Sequence, residues 1–279
     1  MKWATDWSGI VAETEEELAD PDQKAHLYDR SLELIAEALD DDPADEDMIV
    51  MNLEEIETWR RKEVMCQIWN GDSGGWKSPF SEWVAITQTH FRLVCDEDAF
   101  DRSEISGHEI LDTLAAVCLG LVTGHKQFLK WCSERFLEVV ADEEINYVWT
   151  KTCLLPFLAD LVAMDQGVDF DAQSLGYDLG PYQAVFDGWE SEEKLGQAIH
   201  EICRYHDKCQ RSKADAFDTC PLAWMPLDIM ALERVRTRQG LWNVEVDDKE
   251  LDTPFYLAPD RLTARSPAWL KNLEKQLLD

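Results

Sequence analysis

His200, Cys203, His206 and Cys209 recur every third residue in HEICRYHDKC. Imidazole and thiolate are the usual zinc ligands, so a metal site is the first chemistry to weigh. Helical geometry weighs against it. Each step of three lags about 60° behind a full turn, which puts Cys209 opposite His200 and about 13.5 Å further along the axis. One ion therefore reaches at most an adjacent pair, His206 with Cys203 or Cys209, completed from elsewhere, for example by Cys220. The plainer expectation is a packed helix with Cys203 and Tyr205 inward and the histidines at partly solvated edges. Two carboxylate runs come next: DDDPADED, Asp40–Asp47, and EVDDKELD, Glu245–Asp252. Neither has the spacing or central glycine of a calcium loop. The chain holds no HExxH, P-loop or GxGxxG. A helical metal-dependent hydrolase using His200, His206 and nearby carboxylates stays open as an alternative.

The stretch WNGDSGGW, Trp69–Trp76, raises a different chemistry. Its core, Gly71-Asp72-Ser73-Gly74-Gly75, is similar to the nucleophile loop of chymotrypsin-type serine proteases. That mechanism needs a histidine base, an aspartate that orients it and an oxyanion hole. In those proteases the partners precede the serine on β-barrels. Here the only upstream histidine is His26, and the upstream residues read as helices. Ser73 is accordingly expected to lie in an interhelical loop. Its glycines would supply turn conformations, and Trp69 and Trp76 would flank it.

The elements that position these residues read as helical nearly throughout. Asp20 and Pro21 open one helix as cap and first residue. Its apolar positions are Leu27, Leu34, Ile35, Ala38 and Leu39. The next carries Ile49, Leu53, Ile56, Val64 and Ile68 at helical spacing. A third is expected from Ser78 and Pro79. Helices follow in GHEILDTLAAVCLGLV, HKQFLKWCSERFLEVVA and EEINYVWTKTCLLPFLADLVAMDQG, the last bending at Pro156. GPYQAVFDGW, SEEKLGQAIHEICRYHDKC, MPLDIMALERVRTRQG and SPAWLKNLEKQLL complete the set. WNVEVDD is the only alternating run, and one strand makes no sheet. The expectation is an all-α, multi-helix bundle of about nine helices with short loops and little or no β-sheet. It is read as a single helical domain over 1–279, with the irregular 167–181 stretch dividing sub-bundles 1–166 and 180–279.

Charge is the dominant global signal. The 279 residues hold 57 Asp and Glu against 26 Lys and Arg, a net charge of −31. Residues 1–60 carry 19 acidic and 4 basic residues, so about half of the excess lies in the first fifth of the chain. Such a surface repels nucleic acid and anionic membranes and steers basic partners to fast association. Adaptation for solubility or salt is the competing explanation. Eight scattered cysteines without a CxxC pair suggest reduced, buried thiols of a cytoplasmic protein. The first residues show no secretory signal pattern, and no apolar run is long enough to cross a membrane.

Three segments, GPYQAVFDGWESEEKLGQAIHEICRYHDKC, PLAWMPLDIMALERVRTRQGL and VDDKELDTPFYLAP, carry a resemblance over roughly residues 180–260. They resemble helical immunity proteins of bacterial polymorphic-toxin and type VI secretion systems. The cues are a small helix ending in Trp, a helix with Tyr-His, a Pro-Leu-Asp-Ile-Met-Ala-Leu helix ending in Arg-x-x-x-Gly-Leu, and a closing Leu-Asp-Thr-Pro. The resemblance implies a cytoplasmic, non-enzymatic antidote without cofactor. It would bind one toxin with a basic surface, most readily a nuclease, and contact neither nucleic acid nor membrane directly. A homodimer is compatible with it. The interface is expected first at Asp40, Asp41, Asp42, Asp45, Glu46 and Asp47, and second at Glu245, Asp247, Asp248 and Glu250. A third function class, an acidic DNA-mimic regulator, would use the same acids against DNA-binding proteins.

Overall fold

The computed structural model describes residues 7–41, 44–71, 74–95, 114–141, 152–212, 222, 225–248, 251–256 and 262–278. Among them no strand occurs, and the fold is all-α. Eleven helices are described. In chain order they begin with α1 (Trp7–Ala19) and α2, which starts at Pro21–Lys24, passes a π-helical turn at Ala25–Asp29 and continues as Arg30–Leu39. Then come α3 (Glu46–Trp69), α4 (Lys77–Val94) and α5 (Ala115–Thr123). Helix α6 runs through Lys126–Trp131, a π-helical turn at Cys132–Phe136 and Leu137–Ala141. The rest are α7 (Leu154–Gln166), α8 (Gln183–Asp187), α9 (Glu192–Ser212), α10 (Leu227–Arg238) and α11 (Ala268–Leu277). One helix beyond those expected is α1, formed by the acidic N-terminal segment and anchored by buried Trp7 and Val11.

The chain divides into two compact units. A terminal unit combines Thr5–Asp101 with Leu262–Asp279, and a middle unit spans Arg102–Arg261. The 167–181 stretch, expected to separate sub-bundles, lies inside the middle unit. Its Tyr177 and Leu179 are buried, so it packs into that unit's core.

In the terminal unit the expected Asp20–Pro21 helix start forms, and Asp45 adds a cap that was not expected. Asp20 accepts a hydrogen bond from the Asp22 amide at 2.9 Å with Pro21 in the first turn, and Asp45 Oδ1 accepts from the Met48 amide at 3.0 Å. Helix α3 buries the expected stripe of Ile49, Leu53, Ile56, Val64 and Ile68. Helix α11 returns to this core through Leu270 and Leu273. Two polar ties fix it there: the Arg265 amide donates to the Ser81 carbonyl at 3.0 Å, and Thr89 Oγ1 to Glu274 Oε1 at 2.7 Å. The expected start of α4 is two residues late. The helix begins at Lys77, and Ser78 is an exposed first-turn residue without a capping bond. Trp76 packs edge-on against Phe80 instead, so aromatic contact sets the entry to the helix.

In the middle unit α5 is buried along nearly its whole length and α10 packs along it. Two arginines of α10 satisfy carbonyls that α5 leaves open at its C-terminal end. Arg238 Nη1 donates to Leu121 at 2.8 Å and Arg234 Nε to Val122 at 3.3 Å. Arg238 also pairs with Asp165 of α7. The part of the expected helix that precedes Pro156, 143–151, lies outside the described residues. Pro156 is the third residue of α7, where its missing N–H would have no helical partner anyway.

Asp45 thus has a local task that its exposed neighbours lack. Asp45→Ala should lower unfolding free energy by about 1 kcal/mol, the usual worth of an N-cap. Asp40→Ala and Asp41→Ala should stay within about 0.5 kcal/mol of the parent in the same denaturant titration.

Candidate functional site

A buried polar trio lies at the centre of the middle unit. Asp228 is in the first turn of α10 and has 0 % exposure, while His206 of α9 has 3 %. His206 Nε2 lies 3.0 Å from Asp228 Oδ2, and the Tyr182 hydroxyl donates to the same oxygen at 2.7 Å. Tyr182 stands just before α8 in a 3₁₀ turn that opens with Gly180. Gly180 has φ +50, and a Cβ there would lie 2.5 Å from Cys153 Sγ, so only glycine lets the chain pass. The Tyr182 ring stacks on Phe157 of α7 with centroids 4.1 Å apart.

The charge of Asp228 has a physical account. Burial alone pushes its carboxyl up, but the nearby His206, the hydrogen bonds from His206 and Tyr182, and the Ile229 amide outweigh burial and hold it below the usual value. Its first-turn position adds the field of the free helix amides. The same burial and the same carboxylate push the Tyr182 hydroxyl and the Cys118 thiol of α5 well up, so both stay protonated. All three trio members are buried, and together they tie the turn before α8 to α9 and α10.

The helix of α9 corrects one expectation. Cys203 is buried and Tyr205 half-buried against Tyr182 as expected, but His206 is buried with them and does not sit at a solvated edge. Leu195, Ile199, Ile202, His206 and Cys209 form one inward stripe at spacings of three and four. His200 lies about 240° round the axis from His206. Its Nδ1 meets Asp248 Oδ2 at 2.9 Å, half-exposed. The two histidines therefore serve different carboxylates and do not converge on one centre. Among the described residues no group of three His, Cys, Asp or Glu side chains could hold a metal ion. Cys220 lies outside the described residues, as do Asp72 and Ser73. The seven described cysteines are free thiols. Burial, with some help from Glu15, pushes Cys66 up to about 11.

The expected interface acids separate by role. Asp40, Asp41 and Asp47 are exposed, and among the described residues no cation pairs with them. Asp45 caps α3, and Glu46 is half-buried in its first turn. Asp42 and Glu250 lie outside the described residues. Glu245 and Asp247 are exposed on the segment after α10, whereas Asp248 is half-buried against His200. Helix α3 adds two acids that the sequence pattern did not single out. Asp47, Met48, Met51, Glu54 and Glu55 fall on one exposed face, with Met51 65 % and Met48 37 % exposed. Their spacing of three, four and seven was visible in the sequence.

Two features near the end of α10 also gave no sign in the sequence. Trp242 is 82 % exposed, and Arg236 is 2 % exposed. The Arg236 guanidinium lies 5.4 Å from the Trp189 ring centroid and donates to the Trp189 carbonyl and, at 3.1 Å, to that of Trp242. Burial lowers the pKa of this arginine.

Comparison with known proteins gives no match to a protein family, a curated protein or a solved structure.

Removing one member of a buried ion pair strands the other, at a cost of about 3–5 kcal/mol. His206→Ala and Asp228→Ala should each destabilise by that order in urea unfolding. The double variant His206→Leu/Asp228→Leu should recover much of the loss, because no lone charge remains. Asp160 offers a pH test. Burial raises its carboxyl to about 6, aided by Asp171 and opposed by the Ala172 amide, which donates to Asp160 Oδ1 at 2.8 Å. The folded state therefore binds a proton that the unfolded state releases near pH 4, and this stabilisation is lost as pH rises through 6. Asp160→Asn keeps the acceptor oxygen. It should raise the melting temperature relative to the parent at pH 7.5 and change it little at pH 4.

Proposed function

We propose that this protein is a cytoplasmic immunity protein, a non-enzymatic antidote that binds a cognate toxin stoichiometrically and covers its working surface. One observation carries the reading: the chain has a net charge of −31, and among the described residues the exposed Asp40, Asp41 and Asp47 have no cation paired with them. Carboxylates used for architecture, such as Asp228, Glu57 and Asp165, are matched by cations or imidazoles. The unmatched ones form a field that attracts a basic surface and accelerates capture. A nuclease fits this partner best, since its substrate groove must be positive to hold phosphates.

The exposed face of α3 supports the same reading in another way. Carboxylates alone attract a partner but hold it weakly in salt, because the screening length is about 8 Å under physiological conditions. Met48 and Met51, flanked by Asp47, Glu54 and Glu55, add an adaptable apolar strip to that face. The likeness of 180–260 to immunity proteins points in the same direction.

The test is capture of the product encoded beside this gene. It should form a tight 1:1 or 2:2 complex and lose its toxicity. Charge reversal at Asp40, Asp41 and Asp47 together should slow association at least about tenfold at low salt, with a smaller effect on dissociation. Asp45 stays unaltered because it caps α3. An unchanged association rate at low salt would remove this patch from the interface. A neighbour that does not bind, together with capture of DNA-binding proteins instead, would move the protein to the DNA-mimic class.

A further inference from the structure

Trp242 is the most exposed large apolar side chain among the described residues, at 82 %. A solvated indole on a loose tail would mean little. This one stands on a fixed backbone. Gly240, at φ +78, turns the chain out of α10, and the Leu241 amide donates back to the Arg236 carbonyl at 3.0 Å. The buried Arg236 guanidinium holds the Trp242 carbonyl itself. Thr237 Oγ1 donates to Asn243 Oδ1 at 3.1 Å. Val244 packs on Gly196 of α9, with its Cγ1 3.4 Å from where a Cβ would stand. Asp248 then closes the strap on His200 at 2.9 Å. From 243 to 248 exposure alternates, with Val244, Val246 and Asp248 turned in and Glu245 and Asp247 turned out.

Five anchors, at 241, 242, 243, 244 and 248 and one of them made by a buried cation, hold a segment whose only large apolar exposed side chain is Trp242. Burying a guanidinium is costly, and here it secures two backbone carbonyls and no catalytic group. Two of the exposed side chains that follow on the strap are carboxylates, Glu245 and Asp247. An indole face attracts guanidinium groups, and exposed carboxylates pair with them.

We infer that the 241–248 strap is a docking surface for an arginine-bearing face of a basic protein, with Trp242 as its central anchor and Glu245 and Asp247 as its charged rim. The inference rests on the proposed antidote reading only for the identity of that protein. Tryptophan is enriched among binding hot spots, and a backbone fixed before contact has little entropy to lose on binding. A basic partner supplies the arginines. The acidic rim excludes an acidic partner, a nucleic acid and an anionic membrane.

The test works with the partner still unidentified. The full chain carrying 5-fluorotryptophan is titrated with a nona-arginine peptide in salt of about 0.15 M, and with nona-lysine as control. Trp242→Phe identifies the Trp242 resonance by its loss from the ¹⁹F spectrum. The inference expects that resonance to shift with arginine before the others. Nona-arginine should bind more tightly than nona-lysine, and Trp242→Ala should weaken arginine binding about tenfold and erase the preference. Because Trp242 is exposed, its variants should melt within a degree or two of the parent, which separates lost binding from lost folding. Glu245→Lys with Asp247→Lys should weaken both peptides. Unchanged arginine binding by a folded Trp242→Ala, or shifts confined to other tryptophans, overturns the inference. The product of the neighbouring gene forms a second arm. If it binds the parent and dissociates no faster from Trp242→Ala, the strap is not the docking surface, although the antidote reading stands. If it does not bind the parent, the antidote reading fails and the peptide arm still decides the role of the strap.

Discussion

A carboxylate with no solvent access at the start of a helix constrains everything packed around it. Asp228 is charged in the core because His206 and Tyr182 converge on one of its oxygens. The carboxylate fixes the rotation of α9 about its own axis, since His206 must face inward. That rotation carries Gly196 and His200, one turn apart, to another face of the helix. There Val244 and Asp248 of the strap meet them. Helix α10, which supplies Asp228 near its first residue, supplies Arg236 near its last, and Arg236 holds the strap at Trp242. One buried ion pair therefore sets the register of the two helices that present the strap to solvent.

The terminal unit uses carboxylates in a second way. Glu57 of α3 meets His90 of α4 at 3.2 Å in the core. Burial opposes its charge, yet His90, Arg61 and Thr87 hold its carboxyl below the usual value. The same helix opens on Asp45, whose side chain caps it, while Asp47, Glu54 and Glu55 point outward. Acids in one helix thus divide into structural ones, matched and geometrically fixed, and displayed ones, unmatched and solvated. Removing a matched acid strands a partner in the core, whereas changing a displayed one alters only the surface field.

Much of this is legible in the sequence. Periodicity locates α2 and α3, and Asp20 and Pro21 stand where the start of α2 needs them. What escapes is two-body information. The stripe that buries His206 can be read from Ile199, Ile202 and Cys209, but its partner is 22 residues away in a different helix. Asp228 carries a local signal, a single carboxylate between Leu227 and Ile229, and such a residue is best read as a matched core charge. Arg236 and Trp242 give weaker signals, because an arginine near a helix end ordinarily reads as solvated and a tryptophan as buried. Here both assignments are reversed. The glycine loop at Trp69–Trp76 reads as a connector on both counts: Gly71 takes φ +70 at the end of α3, and Trp76 anchors the start of α4.

A strongly acidic surface explains speed better than it explains selectivity. Fields of like sign draw in many basic proteins, and salt weakens them all alike. Selectivity comes from a desolvated contact that only the right partner completes, because a wrong one leaves charges or polar groups unpaired. An indole on a fixed backbone, in a strap that also displays carboxylates, has that property. A lysine-rich face can approach it, but its ammonium groups are compact and strongly hydrated, whereas a planar guanidinium can stack on the ring and pair with an adjacent acid at once. Distributing charge over many carboxylates while fixing one aromatic therefore separates two tasks that a uniform acidic surface would leave joined, finding the partner and recognising it.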